Sequence, residues 1–477
     1  MAACAAPPLP PAQKPTSTQP PAQAPASEPA AKVEQPPHTL LATGIATKAV
    51  TKPKERSLVY DPELFDPSGT ALAAFYDQLR AIERGERKHV RIAFFGASHV
   101  ASDLFTNVVR NGLQRRFGDA GPGFVLPAKP YPWHRHGRVT YTRSRGFESH
   151  QVRVRSRKVQ RYGLAGIALD GGTKLRALSG IQTRSSDDVP GGVSQIELYY
   201  WRQPGGGRLR VLIDGKAIAM LTTDAKTARP GYRTFEVERG EHLVELRTQA
   251  DGPVRVFGVS LENAGKGVVL DTLGIPGARA RYQLLWDQPL FQEHLKRRDP
   301  GLIVLAYGTN ESGDDDDPIE HYEAQLTQVI ERLQETVPGA SCLLVGPSDR
   351  PIRDKKAKTI EDRPRTLELV EAQKRVAKAE GCAFFDLVAM MGGPLSMERW
   401  VDASPPLGAR DYVHFTAKGY REVGEVLFED MMRAYVPAVP LPLRQQMAND
   451  ANGKLNEGPS IATRQKPSAK PCNKACP

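Results

Sequence analysis

Val90-Arg91-Ile92-Ala93-Phe94-Phe95, closed by Gly96-Ala97-Ser98-His99, decides how this chain is read. A short apolar run ended by a glycine predicts a buried strand. The period differs on either side. Leu72, Phe75, Leu79 and Ile82 recur at three- and four-residue steps and predict a helix over 69–87. Phe105, Val108, Val109, Leu113 and Phe117 form a second helical stripe. Strand, tight turn and helix begin an α/β unit, and Ser98 stands at its turn.

Working outward, this rhythm stops near Trp133 and resumes near Val268. The interval holds short β-rich runs such as Ile196-Glu197-Leu198-Tyr199-Tyr200-Trp201, Leu209-Arg210-Val211-Leu212-Ile213 and His242-Leu243-Val244-Glu245-Leu246. Turns such as Gly205-Gly206-Gly207 and Asp214-Gly215 separate them, which predicts a β-sandwich. Beyond it, strands are expected at Leu302–Leu305, Leu343–Val345 and Ala383–Phe385. Helical stripes run through Tyr322 to Val337, Leu369 to Ala379 and Val423 to Met431. The alternation implies a parallel sheet with helices on both faces, with ligands beyond the strands' carboxyl ends. The expected segments are a disordered Pro/Ala-rich linker at 1–55, an α/β domain at 56–136 and 265–440, an inserted sandwich at 137–264, and a disordered basic tail at 441–477. The end segments hold too little apolar surface to offset their ordering entropy.

The net charge is +11, which favours polyanions or acidic surfaces as neighbours. The positive residues are scattered and no nucleic-acid motif accompanies them, so no nucleic-acid partner is expected. No apolar stretch reaches the ~18 residues of a membrane-spanning helix. The opening Met1-Ala2-Ala3-Cys4, followed by a long linker, is similar to the end of a bacterial lipoprotein signal. Acylation of Cys4 would tether the chain to a membrane. Cys342 and Cys382 each open an apolar run, as buried thiols or, if the strands are adjacent, as a disulfide. Cys472 and Cys476 lack further ligand residues, so no metal is expected there.

Four segments fall at strand ends or in loops: Gly96-Ala97-Ser98-His99, Gly274-Ile275-Pro276-Gly277-Ala278, Gly308-Thr309-Asn310-Glu311 and Asp411-Tyr412-Val413-His414. A serine hydroxyl needs a base to become a nucleophile. Ser98 is the candidate nucleophile and His414 the candidate base. Asp411, three residues earlier, can reach the imidazole and fix its tautomer. The Ser98 and Gly277 backbone N–H groups and the Asn310 amide are candidate oxyanion donors. His99 is expected to support the turn, and His134 and His136 to be surface residues. The acidic run Asp314 to Asp317 is read as charge at a helix start. Tyr199-Tyr200-Trp201 is read as sandwich core.

Together, and in this order, the four segments resemble the signature blocks of the SGNH (GDSL-type) hydrolase superfamily. Gly118-Asp119-Ala120-Gly121-Pro122-Gly123-Phe124 and Leu305-Ala306-Tyr307-Gly308-Thr309-Asn310-Glu311 resemble those of bacterial envelope esterases related to peptidoglycan O-acetylesterases. Members of that group carry an inserted β-sandwich similar to a carbohydrate-binding module. The resemblance runs from about residue 88 to about residue 437. It implies a flavodoxin-like α/β/α fold with a jelly-roll-like insertion, no metal or other cofactor, and ester hydrolysis through an acyl-serine. The implied substrate is an O-acetylated glycan, peptidoglycan or another polysaccharide, in the bacterial envelope as a periplasmic or outer-membrane-anchored lipoprotein. An O-acyltransferase, a general short-chain esterase or lipase, and a non-catalytic glycan-binding protein remain as alternatives. The chain departs from the family at Ala97, where Asp is usual, at Pro276, where Asn is frequent, and at Glu311, where many members have Asp.

Overall fold

A computed structural model describes residues 64–152, 161–185, 191–354, 356–357 and 359–438. Cys4, Cys472, Cys476 and the end segments 1–55 and 441–477 lie outside these residues. Five strands build a parallel sheet: β1 (His89–Gly96), β2 (Gly267–Gly274), β3 (Pro300–Ala306), β4 (Ser341–Val345) and β5 (Ala383–Phe385). Their order is β2-β1-β3-β4-β5. The helices are α1 (Ala73–Arg84), α2 (Ser98–Ala101), α3 (Phe105–Phe117), α4 (Gln288–Arg298), α5 (Ile319–Thr336), α6 (Pro364–Ala379), α7 (Leu387–Met391), α8 (Ser396–Asp402) and α9 (Ala417–Arg433).

Side chains alternate across each strand, and both faces are covered. Ile92 and Phe94 pack with Phe75 and Leu79 of α1, Val109 of α3 and Leu427 of α9. Ala93 and Phe95 pack with Phe291 of α4, Val329 of α5 and Leu369 of α6. That double burial is why β1 reads as a continuous apolar run rather than an alternating one. Strand order reverses direction at β1, between β2 and β3. Such a switch point leaves a crevice at the carboxyl edge, and Ser98 follows β1 directly.

Two antiparallel sheets intervene between α3 and β2. One runs Arg229–Gly240, Val193–Arg202, Val254–Glu262, Ile167–Gly171, Glu148–Gln151, with Gly123–Val125 paired to Val254–Glu262. The other runs Val139–Arg145, Leu178–Thr183, Leu243–Thr248, Arg208–Ile213, Lys216–Thr222. Ile181, Leu198, Tyr200, Val211, Val244 and Val256 fill the space between them. Tyr199, Trp201 and Phe257 point the other way and join Phe95, Trp286 and Phe291 in the α/β core. The central strands of the first sheet are thus buried on both faces, and Tyr199-Tyr200-Trp201 is core on each side.

The junction is also polar. Arg298 at the end of α4 donates to Asp271 of β2 at 2.8 and 2.9 Å and pairs with Glu262 at 2.7 Å. Arg138 pairs with Asp119 at 2.8 Å, and Arg110 with Asp103 at 2.8 Å. A sandwich that leaves the α/β domain shortly after the Ser98 turn and helix is expected on the carboxyl-edge side of the sheet. It instead runs beside β2 from end to end. Glu262 pairs with Arg91 of β1 at 2.8 Å near the amino edge, and Gly137 N–H donates to Asp103 at 2.6 Å near the carboxyl edge. The expectation of surface histidines fails as well. His136 is buried beside Asp103, and half-buried His134 lies between the Tyr131 and Tyr141 hydroxyls at 3.2 and 3.0 Å. Tyr131 and Tyr141 lie within seven residues of His134, while Asp103 reaches His136 from before α3.

Burial pushes His136 and His294 down to about 3. The unfolded chain binds these protons below about 6.5, while the folded chain stays neutral until about 3. Stability is therefore present above pH 6.5 and is lost as pH falls through that window. Each buried histidine should cost about 2 kcal/mol at about pH 5. Urea unfolding at about pH 7 and pH 5 should show the loss, and His294→Phe should reduce the difference between the two by about 2 kcal/mol. An unchanged difference would mean His294 does not carry this term.

Candidate active site

The nucleophile turn is made by close backbone approach. A side chain on Gly96 would come within 2.3 Å of Val100 Cγ2, and one on Gly274 within 2.2 Å of the Ala101 nitrogen. These two glycines let α2 lie directly on the ends of β1 and β2. Ser98 is the first residue of α2, and Ala97 caps it without a side-chain hydrogen bond. The Ser102 hydroxyl donates to the His99 carbonyl at 2.7 Å, closing the turn.

His414 comes from the loop before α9. Asp411 Oδ1 accepts the Val413 and His414 backbone N–H groups at 3.0 and 2.9 Å, folding the loop tightly. Asp411 Oδ2 lies 2.7 Å from His414 Nδ1, and His414 Nε2 lies 2.9 Å from Ser98 Oγ. With Nδ1–H donated to the carboxylate, Nε2 offers its lone pair to the serine proton. Burial opposes ionisation of Asp411. The hydrogen bonds from the His414 ring and from the loop backbone outweigh it and hold the carboxyl below the usual carboxylate range. The structure thus brings Ser98, His414 and Asp411 into one continuous relay.

The expected oxyanion donors sit at the ends of neighbouring strands: Ser98 after β1, Gly277 after β2 and Asn310 after β3. Ile275 to Ala278 form a turn closed by Ala278 N–H to the Ile275 carbonyl at 3.0 Å. Gly277 occupies its third position with φ at 72°. Pro276, the departure from the family, suits the second position of such a turn. One Asn310 amide N–H donates to the Ala278 carbonyl at 2.9 Å, which leaves the second as a donor.

Two neighbours hold this arrangement. Glu311 is buried, and its oxygens accept Ala280 N–H at 2.8 Å and Gly308 N–H at 3.0 Å. It therefore ties the Gly277 loop to the Asn310 loop. Burial pushes its carboxyl above the usual range, against the pull of the backbone donors. The longer Glu, standing where many family members have Asp, thereby reaches both loops. His99 is buried with both ring nitrogens used: Nδ1 meets Tyr420 Oη at 3.0 Å and Nε2 meets Ser348 Oγ at 3.2 Å. Burial, aided by nearby His414, pushes it down to about 3, so it stays neutral at working pH and serves as a support. Ser348 passes the contact on to Thr309 Oγ1 at 3.2 Å. Nothing local in the sequence marks Ser348 or Tyr420. The acidic run is spent on pairing: Asp314 binds Arg279 and Arg281, and Asp315 lies 3.6 Å from Arg363. Among the described residues, no group of acidic, His and Cys side chains is arranged to hold a metal ion.

Residues 236–422 match the GDSL-like lipase/acylhydrolase family. The match begins within the sandwich and does not include Ser98. No curated protein matches the chain in sequence. A solved peptidoglycan O-acetylesterase aligns with a TM-score of 0.64 at 24% identity, over 78% of this chain and 99% of that one. The α/β part has the SGNH hydrolase fold. A salicylyl-acyltransferase from a tetracycline biosynthetic pathway aligns with a TM-score of 0.30 at 16% identity, covering 66% of this chain and 98% of that one. A family two carbohydrate esterase from Cellvibrio japonicus reaches 0.25 at 11% identity, over 65% and 97%. Among SGNH features, the serine, histidine and aspartate relay stands at the carboxyl edge, at the sheet's switch point.

Two substitutions test the donor loops. Asn310→Ala should lower turnover of 4-nitrophenyl acetate about 10²–10³-fold, in kcat rather than KM. Glu311→Gln should lower kcat about tenfold to hundredfold by shifting the loops, with KM nearly unchanged. A change confined to KM in either variant would assign that residue to substrate binding.

Proposed function

We propose that the chain is an esterase that removes O-acetyl groups from peptidoglycan or another bacterial polysaccharide through an acyl-serine. The observation that carries this reading is the relay from Asp411 through His414 to Ser98, with contacts of 2.7 and 2.9 Å. As Ser98 Oγ attacks the acetyl carbonyl carbon, His414 takes its proton. Negative charge on the carbonyl oxygen is met by the Ser98 and Gly277 N–H groups and the Asn310 amide. Collapse breaks the ester bond, and the departing sugar oxygen takes the proton from His414. Water then attacks the acetyl-serine with the same base, releases acetate and restores Ser98.

Likeness to a solved peptidoglycan O-acetylesterase supports the choice of ester. The disulfide between Cys342 and Cys382 supports an oxidising compartment such as the envelope. Acetate release from O-acetylated peptidoglycan is the decisive measurement. Ser98→Ala should reduce it by about 10⁴-fold or more, with the thermal transition unchanged. Equal acetate release by both proteins would end the acyl-serine reading. Binding of the glycan without release by either would assign the chain to glycan recognition.

A further inference from the structure

Between β4 and α6 the chain makes a small hairpin, Ile352–Asp354 paired with Thr359–Glu361. Its feet stand on the Asn310 loop. Arg350 donates to the Thr309 carbonyl at 3.0 Å, and Arg363 donates to the Ser312 carbonyl at 3.2 Å. Arg363 also donates to the Arg350 carbonyl at 3.0 Å, joining the two feet. The first strand leans on the His414 loop. The Arg353 guanidinium lies 4.1 Å from the centre of the Tyr412 ring and donates to the Arg410 carbonyl at 3.3 Å. Tyr412 is the residue after Asp411 and two before His414. One hairpin therefore touches both loops that hold the groups around Ser98.

This hairpin is basic: residues 352–361 contain four lysines and arginines against two acids. Asp354 is occupied locally, accepting the Lys356 and Ala357 N–H groups at 2.7 and 3.0 Å to close the turn. Asp411, the nearest acid on the facing loop, is held by His414. The Arg353, Lys356 and Arg410 side chains are exposed. A solvated basic face by itself is ordinary. This one is fastened at four points to the loops beside a nucleophile, which fixes its charge next to any bound polymer.

We propose that the Ile352–Glu361 hairpin and Arg410 form a cationic subsite beside Ser98 that holds a carboxylate-bearing glycan while its ester is cleaved. The proposal rests on the esterase reading above and narrows its substrate to an anionic polymer. Exposed charges attract in this way only over a screening length of about 8–10 Å at ordinary salt. The subsite must therefore act on carboxylates close to the acetylated sugar.

The double variant Lys356→Glu/Arg410→Glu tests it while leaving Arg353 and Tyr412 in place. Three substrates separate the possibilities: O-acetylated peptidoglycan, which carries carboxylates, acetylated xylan without acidic sugars, and 4-nitrophenyl acetate. The variant should lose about tenfold in kcat/KM on peptidoglycan, through KM, with the two uncharged substrates unaffected. In about 1 M salt, where the screening length is about 3 Å, the wild type should fall towards the variant on peptidoglycan alone. Unchanged peptidoglycan kinetics, or an equal loss on all three substrates, would overturn the proposal. If the wild type cleaves none of the three, the esterase reading fails and the subsite is read by binding. Ser98→Ala protein should then co-sediment with insoluble peptidoglycan more strongly without the two charge reversals than with them. Equal retention would overturn the subsite too.

Discussion

Asp271 is the carboxylate that the two parts of the molecule share. It sits in the interior of β2, the edge strand of the parallel sheet. Both its oxygens bind Arg298, and one also accepts Phe124 N–H at 2.8 Å. Phe124 belongs to the short strand paired with Val254–Glu262 of the sandwich. Arg298 continues to Glu262, which also pairs with Arg91 of β1 at 2.8 Å. A buried ion cluster offsets its desolvation only when nearly every lone pair and proton is matched. Here α4, β1, β2 and the sandwich each supply part of the match. An edge strand that would otherwise expose free backbone is covered, and the sandwich is held in one position along it.

That restraint reaches the site, because β2 ends at Gly274 and runs into the Ile275–Ala278 turn. The same strand carries Thr272, whose hydroxyl donates to Asp103 at 2.7 Å. Asp103 lies immediately beyond α2 and binds Arg110 of α3 and the Gly137 N–H. The Ser98 helix, the Gly277 turn and the entry to the sandwich are thus parts of one hydrogen-bonded body. Cutting out residues 137–264 would take Glu262 from Arg298 and Arg91, Gly137 from Asp103 and Arg138 from Asp119. The insertion is a structural neighbour of the site as well as any platform it offers to substrate.

The α/β layers were legible because their signals are local. Both faces of β1 are buried, so it reads as an unbroken apolar run, and α1, α5 and α9 carry stripes at helical spacing. The four site segments were legible because each puts its chemistry within three or four residues. Other features depend on partners far along the chain. Glu311 meets Ala280 across 31 residues, and His99 meets Ser348 across 249. Asp103, the acid beside His136, lies 33 residues back along the chain, whereas Tyr131 and Tyr141, which bracket His134, lie within seven residues of it and mark its burial locally. The Ile352–Glu361 hairpin has strands of three residues each, too short for alternation to register, and its lysines and arginines read as loop.

Ala97 is the departure that most invites doubt about catalysis, since an Asp there would help to fix the turn. The surroundings supply that restraint by other means. Gly96 and Gly274 let α2 pack against two strand ends with no room for further side chains. His99, next to the nucleophile, bonds at both nitrogens and stacks on Phe415, with ring centres 4.9 Å apart. Phe415 directly follows His414. The residue after the nucleophile and the residue after the base are therefore in contact, and the neutral imidazole of His99 brings no competing charge to the relay. A small apolar residue at position 97 suits this packing, because Ala97 is itself buried against the core. An unpaired carboxylate in that place would have to be desolvated. The turn is held here by an imidazole after Ser98, with no carboxylate before it.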